Sequence, residues 1–280
     1  MWLENLRSRA EQGEVAAQRD LGLCYCNGEG VTRDYGEALI WLRKSAGRGD
    51  GKAKYNLGVC YESGEGVPKD AVGAVRWYRE AGEQGNPRAQ SNLGVCYYNG
   101  EGVAKDLREA VNWYRKSADQ GYARAQRNLG VCYALGAGVE KDMAEAVKWY
   151  RKAAEQGEPG AEYNLGVSYY KGRGVAKDLV EAVKWFRLGA QANHAAAKYN
   201  LGVCYYGGEG VSQDKVEAYK WVSLSSAQGH AEATKALPVI ARGMTATEIS
   251  EAERLADVYR HSKPPEPDAD VSGGFDSRER

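Results

Sequence analysis

A 36-residue unit recurs six times in phase between residues 17 and 232, with no insertion between copies. Each copy opens on an alanine (Ala17, Ala53, Ala89, Ala125, Ala161, Ala197) and reads A-x-x-[ND]-L-G-[VL]-[CS]-Y, then G-x-G-V-x-x-D, then a segment centred on tryptophan. A unit this short cannot cover its own apolar face. A fixed period of this size therefore predicts stacked helical hairpins, each layer buried by its neighbours. The expected fold class is all-α, a solenoid of helix-turn-helix repeats.

Within a copy, apolar or small residues stand at positions 1, 5, 8 and 9, as in Ala53, Leu57, Cys60 and Tyr61, which is helical spacing. Position 6 is glycine in all six copies (Gly22 and Gly94 among them). Glycine in mid-helix costs about 1 kcal/mol against alanine, so close approach of a neighbouring helix is expected to compensate. A second glycine, such as Gly64 or Gly100, suits the left-handed residue beyond a helix end.

The second helix opens at Asp34, Asp70, Asp106, Asp142, Asp178 and Asp214, with Glu three residues on in five copies and Gly73 in the other. Asp-x-x-Glu predicts an N-terminal capping box in which both side chains take unpaired backbone donors. Its buried face carries Ala and Trp three apart, as in Ala110 and Trp113, and it ends at glycine in five of the six copies and at Asn193 in the remaining one. Asparagine is the next best residue for a positive φ.

The ends depart from the unit. Residues 1–16 match half a repeat and are expected to form a capping helix. Residues 233–261 begin a seventh copy that loses its glycine loop after Pro238, then start a last helix at Thr245 and Glu248, giving a degenerate capping repeat. Residues 262–280 hold too few apolar groups to offset chain entropy and are expected to be a disordered tail.

Apolar residues make up 43% and charged residues 27%, which places the chain among globular proteins. Lys plus Arg balance Asp plus Glu at 38 each, so no net field draws it to nucleic acid or anionic lipid. No stretch approaches the roughly 18 apolar residues of a membrane span, and the first residues lack the apolar run of a secretory signal. The chain as given reads as cytoplasmic, or as periplasmic or secreted if a signal has been removed.

The Ala-x-x-x-Leu-Gly-x-x-Tyr, Gly-x-Gly-Val, Asp and Ala-x-x-Trp elements resemble the Sel-1-like repeat family, relatives of tetratricopeptide repeats with a longer unit. The resemblance implies a right-handed superhelical α-solenoid that serves as an adaptor or scaffold, with partners that differ from member to member. It also implies that the first helix of each unit lines an inner curve. Positions 3, 7 and 10 would then face a groove.

Chemistry other than recognition finds little support. Cys24, Cys60, Cys96, Cys132 and Cys204 share one repeat position. Equivalent stacked helices lie about 8–10 Å apart, beyond the ~7 Å reach of a disulfide, so these read as small buried residues. His194, His230 and His261 lack partners at metal spacing, no nucleophile elbow appears, and the G-x-G-V loops follow helices instead of strands. No catalytic residue, metal or cofactor is expected, and the chain is not read as an enzyme.

Position 7 is always aliphatic, whereas positions 3 and 10 vary from copy to copy. Residues that packing does not force to repeat are free to answer to a partner. The candidate partner-binding residues are Arg19, Tyr55, Tyr98, Arg127, Tyr163, Tyr170, Tyr199 and Tyr206. Tyrosine gives large contact area at low rotamer cost. The resulting expectation is a non-catalytic scaffold that binds a peptide segment or protein surface along a concave, tyrosine-lined groove. The alternatives are an inhibitor or immunity protein that blocks a toxin or effector, and an enzyme or thiol-redox protein on the same frame.

Overall fold

A computed structural model describes residues 1–262. Its elements are α1 (Trp2–Glu11), α2 (Val15–Asn27), α3 (Tyr35–Gly47), α4 (Gly51–Ser63), α5 (Ala71–Glu83), α6 (Pro87–Asn99), α7 (Leu107–Asp119), α8 (Ala123–Leu135), α9 (Met143–Ala154), α10 (Pro159–Lys171), α11 (Leu179–Gln191), α12 (Ala195–Gly207), α13 (Lys215–Ser226), α14 (Ala231–Ala241) and α15 (Ala246–Ser262). Among the described residues every regular element is a helix. The contacts divide the chain after Ala125 into two units, each of which is described by itself. In the first, α1 to α7 pack in sequence order, and in the second, α9 to α14 do the same, with α15 laid against α13.

Repeat tryptophans of the first unit reach back to the preceding layer. Trp41 on α3 packs with Leu6 and Ala10 of α1 and Ala17, Leu21 and Cys24 of α2. Trp113 on α7 joins Tyr78, Ala81, Ala89 and Leu93. The repeated Ala and Trp are therefore two sides of one joint, the small residue making room for the large one. The helical glycine marks the other tight joint: a Cβ on Gly94 would lie 2.6 Å from the Tyr114 ring, as the expected close approach requires.

The Asp caps form, but the reciprocal box does not. Asp34 Oδ1 accepts from the backbone N–H of Gly36 at 2.9 Å and of Glu37 at 3.1 Å. Its own N–H, which a capping-box glutamate would take, donates instead to the Tyr25 carbonyl at 3.0 Å. The same bond joins Asp70 to Tyr61 and Asp178 to Tyr169, at 2.9 and 3.0 Å. The loop has already satisfied that donor, so Glu145 and Glu181 turn to Lys148 and Lys184. A true box occurs where no such loop precedes: Thr245 N–H donates to Glu248 and Glu248 N–H to Thr245, opening α15.

A tie that the sequence pattern does not announce links layers through position 9. Arg7 donates to the Tyr25 hydroxyl (2.8 Å), Arg43 to Tyr61 (3.2 Å), Arg79 to Tyr97 (2.9 Å) and Arg187 to Tyr205 (3.1 Å), each pair 18 residues apart. Asn193 is the one non-glycine residue with positive φ among those described, at +66°, as its place in the pattern predicts. At the far end Tyr259 of α15 meets Trp221 edge-on at 5.0 Å and donates to the Ala190 carbonyl at 3.0 Å. Of the tail expected from residue 262, Ser262 is the last residue of α15, and residues 263–280 lie outside the described chain.

Candidate interaction surface

The first helix of each repeat buries positions 1, 5 and 6 and leaves others open. On α10, Ala161, Leu165, Gly166 and Ser168 are buried, while Tyr163, Asn164, Val167 and Tyr170 are partly exposed. On α12, Ala197, Leu201, Gly202 and Cys204 are buried, while Tyr199, Asn200 and Val203 are partly exposed and Tyr206 is 39% exposed. Arg127, Asn128 and Val131 stand at matching places on α8. In the second unit these open residues form a stripe of one asparagine, one valine and one or two variable residues per layer. In the first unit the same positions are more covered: Leu23 and Val59 are each 5% exposed and Asn56 is fully buried.

Four of the six position-3 residues have internal counterparts. Arg19 pairs with Asp50 at 3.0 Å, and Arg127 pairs with Glu158 at 3.2 Å. Tyr163 stacks on His194 with ring centroids 4.9 Å apart, and Tyr199 stacks on His230 at 5.0 Å. In every case the counterpart is the residue that N-caps the first helix of the next repeat. Asp50 accepts from Ala53 N–H (2.9 Å), Glu158 from Ala161, His194 Nδ1 from Ala197 (3.2 Å) and His230 Nδ1 from Ala233 (3.3 Å). Arginine thus goes with an acidic cap and the partly exposed tyrosines Tyr163 and Tyr199 with a histidine cap. At these four places variation is matched inside the chain, so non-repetition does not by itself point outward.

A histidine cap works only with a neutral ring, since Nδ1 must accept. Burial, followed by the charges of Arg127, His230 and Lys198, holds the His194 imidazole below its ordinary pKa. This keeps the cap in place at neutral pH.

The other candidates separate by place. Tyr55 is fully buried in the core cluster of the first unit, its ring 6.0 Å from that of Tyr78, and offers no exposed surface. It therefore leaves the candidate set, because its ring fills the space between layers. Tyr98 is partly exposed, with the Lys105 ammonium 5.8 Å over its ring. Tyr170 donates its hydroxyl to Glu209, a contact that with burial pushes its pKa up to about 12. The asparagines escape the sequence argument because they repeat, and repetition reads as packing.

All six cysteines are free and buried. Burial pushes the Cys96 and Cys204 thiols up to about 12 and Cys132 up to about 11, which disfavours the reactive thiolate. Cys26 is raised by a hydrogen bond with Cys60 and then by burial. Among the described residues no group of three or more His, Cys, Asp or Glu side chains is placed to hold a metal, and no helix is long and apolar enough to cross a membrane.

Helical hairpins stacked at a fixed period, with a partly open stripe on the first helices, define an α-helical repeat protein. The Sel1 repeat model matches residues 15–50, 51–86, 87–122, 123–158, 159–194 and 195–230, so the chain belongs to the Sel1 repeat family. It is similar to a protective antigen of uropathogenic Escherichia coli strains that displays this repeat fold, at 39% identity and a TM-score of 0.80 over 91% of the chain. The match spans 56% of that protein. A Sel1 repeat protein from Oxalobacter formigenes is 34% identical, with a TM-score of 0.72, over 76% of this chain and 86% of that one. None of the curated proteins compared with the chain matches it. Sel1 repeat proteins are generally non-catalytic scaffolds for protein interaction.

Proposed function

We propose that this protein holds a partner peptide or protein face along the open stripe of its second unit, made by Arg127, Asn128 and Val131 on α8, Tyr163, Asn164, Val167 and Tyr170 on α10, and Tyr199, Asn200, Val203 and Tyr206 on α12. The observation that carries this reading is the state of the asparagines. Asn128, Asn164 and Asn200 are partly exposed, and their side chains make no hydrogen bond within the described chain. A carboxamide offers two donors and an acceptor, so three of them in register, flanked by tyrosine and valine, suit an extended segment whose backbone needs partners. Tyr163 and Tyr199 contribute apolar area while their inner faces stay stacked on the histidine caps. Arg19 and Tyr98 belong to the first unit and are not part of this stripe.

A photocrosslinking residue in place of Tyr206 tests the surface. Irradiation in a host-cell extract is expected to give one dominant adduct with a protein partner, absent when the same residue replaces Leu188 of α11, which is 38% exposed. Equal labelling from both sites would contradict the reading.

A further inference from the structure

The open stripe of the second unit does not stop at α12. Counting 36 residues on from Ala197 brings Ala233 to position 1 of α14, and the register holds there: Ala233 and Ile240, at positions 1 and 8, are buried as Ala197 and Cys204 are. Positions 3, 7 and 10 are then Lys235, Val239 and Arg242, whose i, i+4, i+7 spacing puts them on one helix face. Arg242, just past the end of α14, keeps helical backbone angles. Among the described residues no further first helix follows to cover this face, because α15 lies against α13. Val239 is 53% exposed, the Lys235 side chain 73%, and Arg242 is exposed as well.

The charges along the extended stripe are of one sign. From α8 to α14, positions 3, 4, 7 and 10 hold Arg127, Lys235 and Arg242 and no aspartate or glutamate. The carboxylates that touch the stripe are already engaged: Glu158 with Arg127 at 3.2 Å, Glu209 with the Tyr170 hydroxyl, and Glu232 with Lys235 at 3.0 Å. In the last pair both side chains are more than half exposed, so solvent screens the contact and a better partner can displace it. Arg242 makes no ion pair among the described residues.

The histidine caps add donors to this surface. Nδ1 of His194 and of His230 accepts a backbone N–H, so the one proton of each neutral ring sits on Nε2. Both rings are partly exposed where they stack on Tyr163 and Tyr199, and no acceptor among the described residues takes that proton. The same donor is thus repeated one layer apart. A neutral segment laid here would leave the two cations of α14 unanswered. Carboxylates answer both kinds of group, the cations and the imidazole N–H groups, through charge-assisted hydrogen bonds.

We propose that the stripe extends onto α14 and selects an acidic segment of its protein partner, with carboxylates received by Lys235 and Arg242 at one end and by the Nε2–H groups of His194 and His230 beside the tyrosines. The valines and tyrosines then take apolar contact and the asparagines take backbone. This rests on the reading of the stripe given above and adds the partner's chemistry to it.

The test uses the full chain and two fluorescein-labelled peptides, Ser-Glu-Ala repeated four times and its Ser-Gln-Ala counterpart, read by fluorescence anisotropy at pH 7.5 in about 50 mM salt, where screening is modest. The wild type is expected to bind the glutamate peptide at least about ten-fold more tightly than the glutamine peptide. Lys235→Gln with Arg242→Gln should bring that ratio to about two or less at an unchanged melting temperature, since both side chains are exposed. His194→Asn with His230→Asn should lower it about three-fold: asparagine still caps the helix, as Asn86 does for α6, but carries no donor where Nε2–H stood. Lys148→Gln with Lys184→Gln, which removes two exposed lysines of α9 and α11, should leave the ratio as it is. Equal affinity for the two peptides, or binding of neither, would overturn the acidic preference. So would a ratio that survives the loss of Lys235 and Arg242, or one that falls as far without Lys148 and Lys184. An unchanged ratio in the histidine variant would overturn the part given to His194 and His230. Crosslinking at Tyr206 judges the stripe separately, so the partner's charge can fail while the surface stands.

Discussion

Gly102→Ala is expected to destabilise the protein by about 3 kcal/mol or more, whereas Gly85→Ala costs only about 1 kcal/mol, although both glycines have positive φ (+68° and +90°). Left-handed backbone accounts for the shared part. The difference comes from contact. A Cβ on Gly102 would lie 2.1 Å from the carbonyl oxygen of Ala71, at the start of the preceding layer's second helix, whereas nothing lies within 4 Å of one on Gly85. Backbone cannot swing aside as a side chain can, so the loop must lift off the layer beneath it. Gly174 meets the Met143 carbonyl at the same 2.1 Å and should behave as Gly102 does. Urea midpoints of the three variants give the comparison, and equal losses would mean that the second glycine of G-x-G-V serves the turn alone.

Glu162→Gln is expected to stabilise the protein by on the order of 1–3 kcal/mol at pH 8 and to change little at pH 5. Glu162 occupies position 2, where Gln90 donates to the Gly82 carbonyl at 2.8 Å and also accepts from Gln120 at 2.8 Å. Gln126 accepts from Gln156 in the same way, at 2.7 Å. The residue matching Gln120 and Gln156 in the next layer is Ala192, so Glu162 sits in the slot without that donor. It is 4% exposed and its Oε2 has no hydrogen-bond partner. Burial, then Glu158, pushes its carboxyl up to about 7 from an ordinary 4.5. A folded-state pKa above the unfolded one means that the neutral form is favoured in the fold. Stability is therefore complete below about pH 4.5 and is lost as pH rises through 7. Glutamine is isosteric with the neutral acid and restores the amide donor, so the gain should appear only where Glu162 would ionise. Thermal melts of both proteins from pH 5 to pH 8 check this, and a gain independent of pH would point to a cause other than ionisation.

Much of the fold is legible in the sequence because its causes are local or periodic. Helix starts follow from Asp34 and its equivalents, helix ends from glycine and Asn193, and the need for close packing from Gly94 and its equivalents. The capping glutamates mislead because the donor they would take is claimed by the Tyr25 carbonyl and its equivalents, a bond that depends on loop closure. The candidate surface is legible only in part. Position 3 varies visibly, but its counterpart lies in the next repeat, and only the register of one layer on the next shows that Arg127 varies with Glu158 and Tyr163 with His194. Tyr55 illustrates the limit: where Tyr163 and Tyr199 have histidine as the next cap, Tyr55 has Asn86, and its ring turns into the core beside Tyr78. The asparagines are hidden for the opposite reason, since a repeated residue can be repeated for a ligand as well as for a core.

Tyr163 and Tyr199 are stacked on cap residues, so removing them perturbs the layers as well as any docking face. Asn164, Asn200 and Tyr206 are better probes. The decisive measurement is the affinity of the partner captured through Tyr206 for a variant carrying Asn164→Ala, Asn200→Ala and Tyr206→Ala, taken together with its melting temperature. The account predicts at least a ten-fold loss of affinity with a melting temperature within a few degrees of the wild type. Unchanged affinity at unchanged stability would contradict it.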